Sequence, residues 1–237
     1  MAVEWKISPP GTSAIPPRRK GWSLPVPAPY RRHFVWFQIG VVFLLLEIVL
    51  WAPTRHLRNR WALVTLLALL ALVLTDRPSL QRLGLRLPKT FGASVVLGIS
   101  FAMIVLMAAL VHEAGGPIPA NQTWPALESV WGYVIWSMLQ EFILQSFFFN
   151  RFEELYGGPA AVWIAATLFA AAHLPSPILT TLTLIGALFF CEMFRRYRSI
   201  YPLGVVHAML GLSIFLIMPD SLLHHMRVGI GYLNYSR

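Results

Sequence analysis

Residues 126–149 read ALESVWGYVIWSMLQEFILQSFFF, a long apolar run with one acid, Glu141, deep in its interior. At about 1.5 Å of rise per residue such a run spans the roughly 30 Å hydrocarbon core of a bilayer if it is helical. It shows no apolar–polar alternation, so it predicts a helix and not a barrel strand. Six further apolar runs flank it, at 34–51, 61–75, 91–111, 159–173, 177–194 and 201–218. The fold class that follows is all-α: a polytopic transmembrane helix bundle of about seven helices. The second and fifth runs are short for a span. Each must extend through its flanks, thin the bilayer locally, or be partly re-entrant.

Composition agrees. Of 237 residues, 57% are hydrophobic and only 12% charged, with a mean hydropathy of +0.62. An ordinary soluble domain carries roughly 25% charged residues. Disordered, collagen-like and disulfide-stapled secreted proteins are excluded, and a water-soluble enzyme nearly so. The formal charge of +9 would suggest nucleic acid in a soluble chain. In a bilayer protein it reads as the usual excess of Lys and Arg on the cytoplasmic side. No nucleic-acid partner is expected; the expected partners are membrane lipids and a membrane-associated protein or peptide. Cys191 is the lone cysteine, so no intrachain disulfide forms, and it reads as a small buried hydrophobe near a helix end.

Three regions follow. Residues 1–33 hold seven prolines and the cluster Arg18, Arg19, Lys20; they read as a disordered, Pro-rich, basic cytoplasmic arm. No apolar stretch follows a short basic start, so no cleavable signal peptide is expected. Residues 34–218 form the transmembrane domain. Residues 219–237 are a short tail in which His224 and His225 read as solvated. With the amino terminus inside, 14 of the 19 basic residues fall on inner segments and five on outer ones, which supports that orientation.

Ionisable groups within apolar runs are costly and demand a reason, at roughly 2.5 to 3.5 kcal/mol each at the bilayer centre. Glu47 and Glu192 lie near run ends, where they can snorkel or pair; Glu192 has Arg195 and Arg196 on its next turn. Glu141 is flanked by apolar turns on both sides, and Gln145 shares its face one turn on. Such a pair is either a polar clasp between helices or a proton acceptor raised by desolvation. His173 closes the fifth run, and His207 lies inside the seventh among the small residues Gly204, Ala208 and Gly211. Singly, each histidine reads as a helix–helix hydrogen bonder. Together with Glu141 they could supply a base, an orienting partner and an oxyanion donor. Two further alternatives are axial ligation of haem or a chlorophyll-type pigment by His173 and His207, and a zinc site. No H-E-x-x-H spacing supports the latter. No cofactor or metal is expected.

The motif order over about residues 125–215 resembles the CAAX prenyl protease and bacteriocin-processing (CPBP, or Abi) family, which includes the type II CAAX prenyl proteases. That family carries E-E-x-x-x-R, then F-x-x-x-H, then H-x-x-x-N or D on separate helices. Here the three regions are Gln140-Glu141-Phe142-Ile143-Leu144-Gln145, Phe169-Ala170-Ala171-Ala172-His173 and His207-Ala208-Met209-Leu210-Gly211, and 150–157 (NRFEELYG) also looks like the family. The resemblance implies a metal-independent glutamic intramembrane endopeptidase in a bacterial inner (plasma) membrane. Glu141 would be the general base, His173 its polarising partner and His207 an oxyanion donor, with Gln140, Gln145, Phe169 and Gly211 in supporting places. The departures are specific. Gln140 stands where the family's first glutamate is taken as base, Gln145 replaces the arginine, and Gly211 replaces the oxyanion asparagine. They motivate the alternative of a catalytically degenerate scaffold, or subunit of a membrane complex, with the same fold. Depth also matters. Counted from the inner end of each run at 1.5 Å per residue, Glu141 and His207 lie at about 12 and 9 Å but His173 at about 21 Å. For all three to meet, the fifth helix must tilt or begin later.

Overall fold

The computed structural model describes residues 28–116 and 125–235. Each of the seven apolar runs folds as helix, and among the described residues no strand forms beyond an isolated bridge between Leu85 and Ser199. The first three helices are α1 (Ala28–Trp51), α2 (Arg55–Asp76) and α3 (Thr90–Glu113). α1 begins before residue 34 and takes in Tyr30–His33, which the sequence reading assigned to the arm; residues 1–27 lie outside the described ones. The second run resolves its shortness by extending through its basic flank. Thr54 caps α2, its hydroxyl accepting from the Leu57 amide at 3.3 Å, so Arg55, Arg58 and Arg60 are helical. Arg77 closes the helix in the left-handed conformation at φ 41°.

The run quoted above becomes a continuous rod: α4 (Leu127–Glu141), a π-helical segment (Phe142–Phe149) and α5 (Asn150–Tyr156). The backbone stays right-handed helical at both joints while its hydrogen-bond ladder widens. Glu141 is the last residue before that widening. Gly157, at φ 81°, ends the rod in a conformation that favours glycine. α6 (Gly158–Ala171) follows, then α7 (Pro177–Tyr197) and α8 (Tyr201–Ile217). Two short helices, α9 (Asp220–Leu223) and α10 (Ile230–Leu233), complete the tail.

By length and apolarity α1, α2, α3 and α7 can each cross a membrane; α8 with α9 and the turn after it, bent by 120°, makes up to a fifth span. α6 remains short, about 21 Å of helix. Its packing explains how it survives. It lies along α7 and against α5, so protein rather than lipid faces much of it, and Ala161, Ala165 and Ala166 are wholly buried. The rod supplies the core: Phe147, Phe149 and Phe152 are almost fully buried, and Phe149 meets Phe194 of α7 edge-on at 5.6 Å.

One end of the bundle is held by polar groups. Arg151 is buried, its Nε donating to Gln38 Oε1 at 2.9 Å and its Nη2 to Asp76 Oδ2 at 3.0 Å. Its guanidinium lies 3.6 Å from the centre of the Phe147 ring. Arg31 and Arg82 both donate to Glu154, at 2.6 and 2.9 Å. The loop between α2 and α3 is stitched to the rod by Ser146 Oγ on the Leu83 carbonyl (2.6 Å) and Asn150 Nδ2 on the Arg82 carbonyl (2.7 Å).

The tail is not simply solvated. His224 packs edge-on to Tyr232 and Tyr235, at 4.8 and 5.0 Å, while His225 stays more exposed and pairs with Asp220 at 2.7 Å. The Gly229 amide donates to the Leu174 carbonyl at 2.9 Å, tying the tail to the turn after α6.

Candidate functional site

Glu141 is 0% exposed. It sits where α4 packs along α8, and small residues on α8 let the helices approach. A Cβ at Gly204 would lie 2.2 Å from Met138 Sδ, and one at Gly211 would lie 2.0 Å from the Tyr133 hydroxyl. Between these two contacts His207 reaches across the seam. Its Nδ1 donates to Glu141 Oε1 at 2.8 Å, and Gln145 Nε2 donates to Oε2 at 3.1 Å. Both carboxylate oxygens are engaged, yet each keeps a lone pair. With Nδ1 committed to the carboxylate, Nε2 lies on the ring's other side.

The sequence reading expected His173 beside Glu141. The imidazole on Glu141 is that of His207. His173 lies in the turn after α6, not inside a helix, because α6 closes at Ala171. Its Nδ1 meets the Phe169 carbonyl at 2.8 Å. A carbonyl cannot donate, so that nitrogen carries the proton. The Phe169 ring touches both imidazoles, with centroids 4.8 Å from His173 and 6.1 Å from His207. Phe190 stacks on His207 at 5.1 Å with 15° between the planes. Thus Glu141, His207 and Gln145 form one hydrogen-bonded group, and His173 joins it through the Phe169 ring. Gln140 is half-buried beside them.

A planar pigment held by both histidines would need the space that Phe169 fills. Among the described residues no three His, Cys, Asp or Glu side chains converge as a metal site. Glu47 is met by Trp51 Nε1 at 3.0 Å, not by a loop arginine. Glu192 pairs with Arg195 and Arg196 as its spacing implies, at 2.7 and 2.5 Å. Cys191 is wholly buried.

Sequence reasoning passed over two residues of the seam. Tyr133 and Ser137 precede Glu141 and Gln145 at four-residue steps, so α4 and the turn after it present a polar stripe to α8. Ser137, Glu141 and Gln145 are all wholly buried. The signal was the spacing, read backward from the acid.

The comparisons bear on residues 122–213. This segment matches the family described as Type II CAAX prenyl endopeptidase Rce1-like. Over that segment the chain is similar to this family. The match covers the rod from its start, α6, α7 and most of α8, and so contains every residue of the polar group described above. No curated protein and no solved structure matches the chain.

Proposed function

We propose that the chain is a glutamic-type intramembrane endopeptidase that cleaves a membrane-associated protein or peptide by water activated at Glu141. The observation that carries this reading is the wholly buried Glu141 carboxylate held by His207 at 2.8 Å. A carboxylate removed from bulk water and oriented by an imidazole is suited to take a proton from one bound water. As that water attacks a peptide carbonyl, its proton passes to Glu141 and then to the departing amine. His207 orients the carboxylate through its Nδ1–H. His173, with a free Nε2, lies next to them across Phe169. Similarity to the type II CAAX prenyl endopeptidases makes a prenylated CAAX terminus the first substrate class to test.

In liposomes, the wild-type chain is expected to cleave a farnesylated CAAX peptide, and Glu141→Gln to abolish cleavage while preserving expression. Full activity in the Glu141→Gln chain contradicts the reading.

A second reading, a scaffold that keeps the fold without the chemistry, is favoured by one observation: both oxygens of Glu141 are bonded within the chain, and Gln140 is an amide. A wild-type chain that cleaves nothing, but copurifies with a membrane partner irrespective of Glu141, supports it.

A further inference from the structure

The Tyr133 hydroxyl sits where a side chain at residue 211 would begin: an ideal Cβ on Gly211 lies 2.0 Å from that oxygen and 2.8 Å from Cζ. Glycine at 211 is what admits the phenol into the seam. Gly211 is one turn beyond His207 on α8, and Tyr133 is two turns before Glu141 on α4, so the phenol stands about one helical turn from the imidazole. Between Tyr133 and Glu141 on the same face lies Ser137, wholly buried, whose hydroxyl neighbours the Tyr133 phenol. The phenol therefore stands in a polar stripe of Tyr133, Ser137, Glu141 and Gln145 on the helix that packs along α8. That stripe runs to the acid–imidazole pair.

We infer that Tyr133 is a further catalytic residue, whose O–H donates to the carbonyl oxygen of the scissile peptide as it becomes an oxyanion. This rests on the hydrolase reading above. A phenol suits the task. It is an O–H donor that stays neutral near pH 7, and on a rigid helix it needs no reorganisation as charge develops. The step moves no atoms of the phenol. The carbonyl oxygen gains negative charge as water adds to the carbon, the hydrogen bond from Tyr133 shortens, and the charge returns when the amine leaves. The same geometry makes Tyr133 and a side chain at 211 mutually exclusive: a donor side chain at 211 fits only when the whole ring is absent, since Cζ and Cε1 also lie within 3.0 Å of its Cβ.

The test compares wild type, Tyr133→Phe, Gly211→Asn and the double variant Tyr133→Ala/Gly211→Asn in liposomes, with a farnesylated CAAX peptide as probe and melting temperature as the control for folding. Losing one oxyanion donor typically lowers kcat by about 100- to 1000-fold. Tyr133→Phe is expected to show that loss with KM little changed and melting unaltered. Gly211→Asn alone is expected to melt lower and lose activity, because its side chain meets the phenol. The double variant should recover at least about tenfold in kcat over Tyr133→Phe, a smaller gain than the full worth of one donor. Tyr133→Phe with undiminished kcat overturns the inference while leaving the hydrolase reading intact, as does a folded double variant no faster than Tyr133→Phe. A wild-type chain that never cleaves the probe overturns both.

Discussion

Glu141 and His207 are 66 residues apart in the sequence and 2.8 Å apart in the bundle, joined from Nδ1 to Oε1. The contact fixes the facing of α4 against α8, and its energetics can be separated from its chemistry. Removing one partner of a buried pair leaves a group without compensation and typically costs about 3 to 5 kcal/mol, whereas replacing both by apolar side chains is often neutral. His207→Ala should therefore lower thermal stability in detergent sharply. Glu141→Leu/His207→Phe should melt near the wild type and be inactive. Equal destabilisation by both variants would show that the pair's geometry, not its charge balance, holds the seam.

Arg151 ties the rod to α1 and α2 through Gln38 and Asp76. Arg151→Ala is expected to cost about 3 to 5 kcal/mol, since Asp76 loses its cation and the Gln38 amide oxygen its donor. Arg151→Lys should recover little of this, because a point charge cannot serve both acceptors as a planar fork does. Chemical denaturation of the two variants beside wild type measures both losses.

Two glycines should respond in opposite directions. A Cβ at Gly40 in α1 meets nothing within 4 Å, so Gly40→Ala is expected to stabilise by about 0.5 to 1 kcal/mol through backbone entropy. Gly229 has φ +54°, and its Cβ would lie 2.4 Å from the Leu50 carbonyl oxygen. Backbone atoms cannot yield there, so Gly229→Ala should cost about 1 to 3 kcal/mol and release the tail from α1 and Leu174. Limited proteolysis between residues 219 and 235 reads the release directly.

The bundle was legible in the sequence because desolvation constrains lipid-embedded segments so strongly that apolar runs report helices almost one for one. Helix ends were less legible. Arg55, Arg58 and Arg60 read as a loop by charge, yet the Thr54 cap makes them helical. At the site, Glu141, Gln145 and His207 stood out because an acid, an amide and an imidazole are expensive in lipid. Tyr133 and Ser137 did not, since a phenol and a hydroxyl are tolerated in any span, and only their register with Glu141 gives them meaning. The partnership of Glu141 with His207 rather than His173 depends on where α6 stops. Apolarity does not mark that end: Ala172 and Leu174, beyond the helix, are as apolar as the residues within it. Arg151 read as one more basic loop residue, because its acceptors, Gln38 and Asp76, are remote in sequence.

Glu154 gives a pH dependence outside the membrane-spanning segments. Burial alone would raise its carboxyl, but the hydrogen bonds and charges of Arg31 and Arg82 prevail and hold it below the usual carboxylate range. A carboxylate depressed in the folded state contributes stability above its unfolded pKa of about 4.3, and that contribution is lost as pH falls through the lower folded value. Melting temperature should hold from neutral pH to about 4.3 and then fall, and Glu154→Gln should remove part of that fall. An unchanged acid limb in the Glu154→Gln chain would place the loss elsewhere.

The central claim is that Glu141, oriented by His207, delivers water to a peptide carbonyl. Its most direct test is cleavage of a farnesylated CAAX peptide in water enriched in oxygen-18, following label in the new carboxylate by mass spectrometry. The account predicts one labelled oxygen per cleavage with the wild-type chain and no product with Glu141→Gln at matched protein levels. Labelled product forming at the wild-type rate in the Glu141→Gln chain would contradict it.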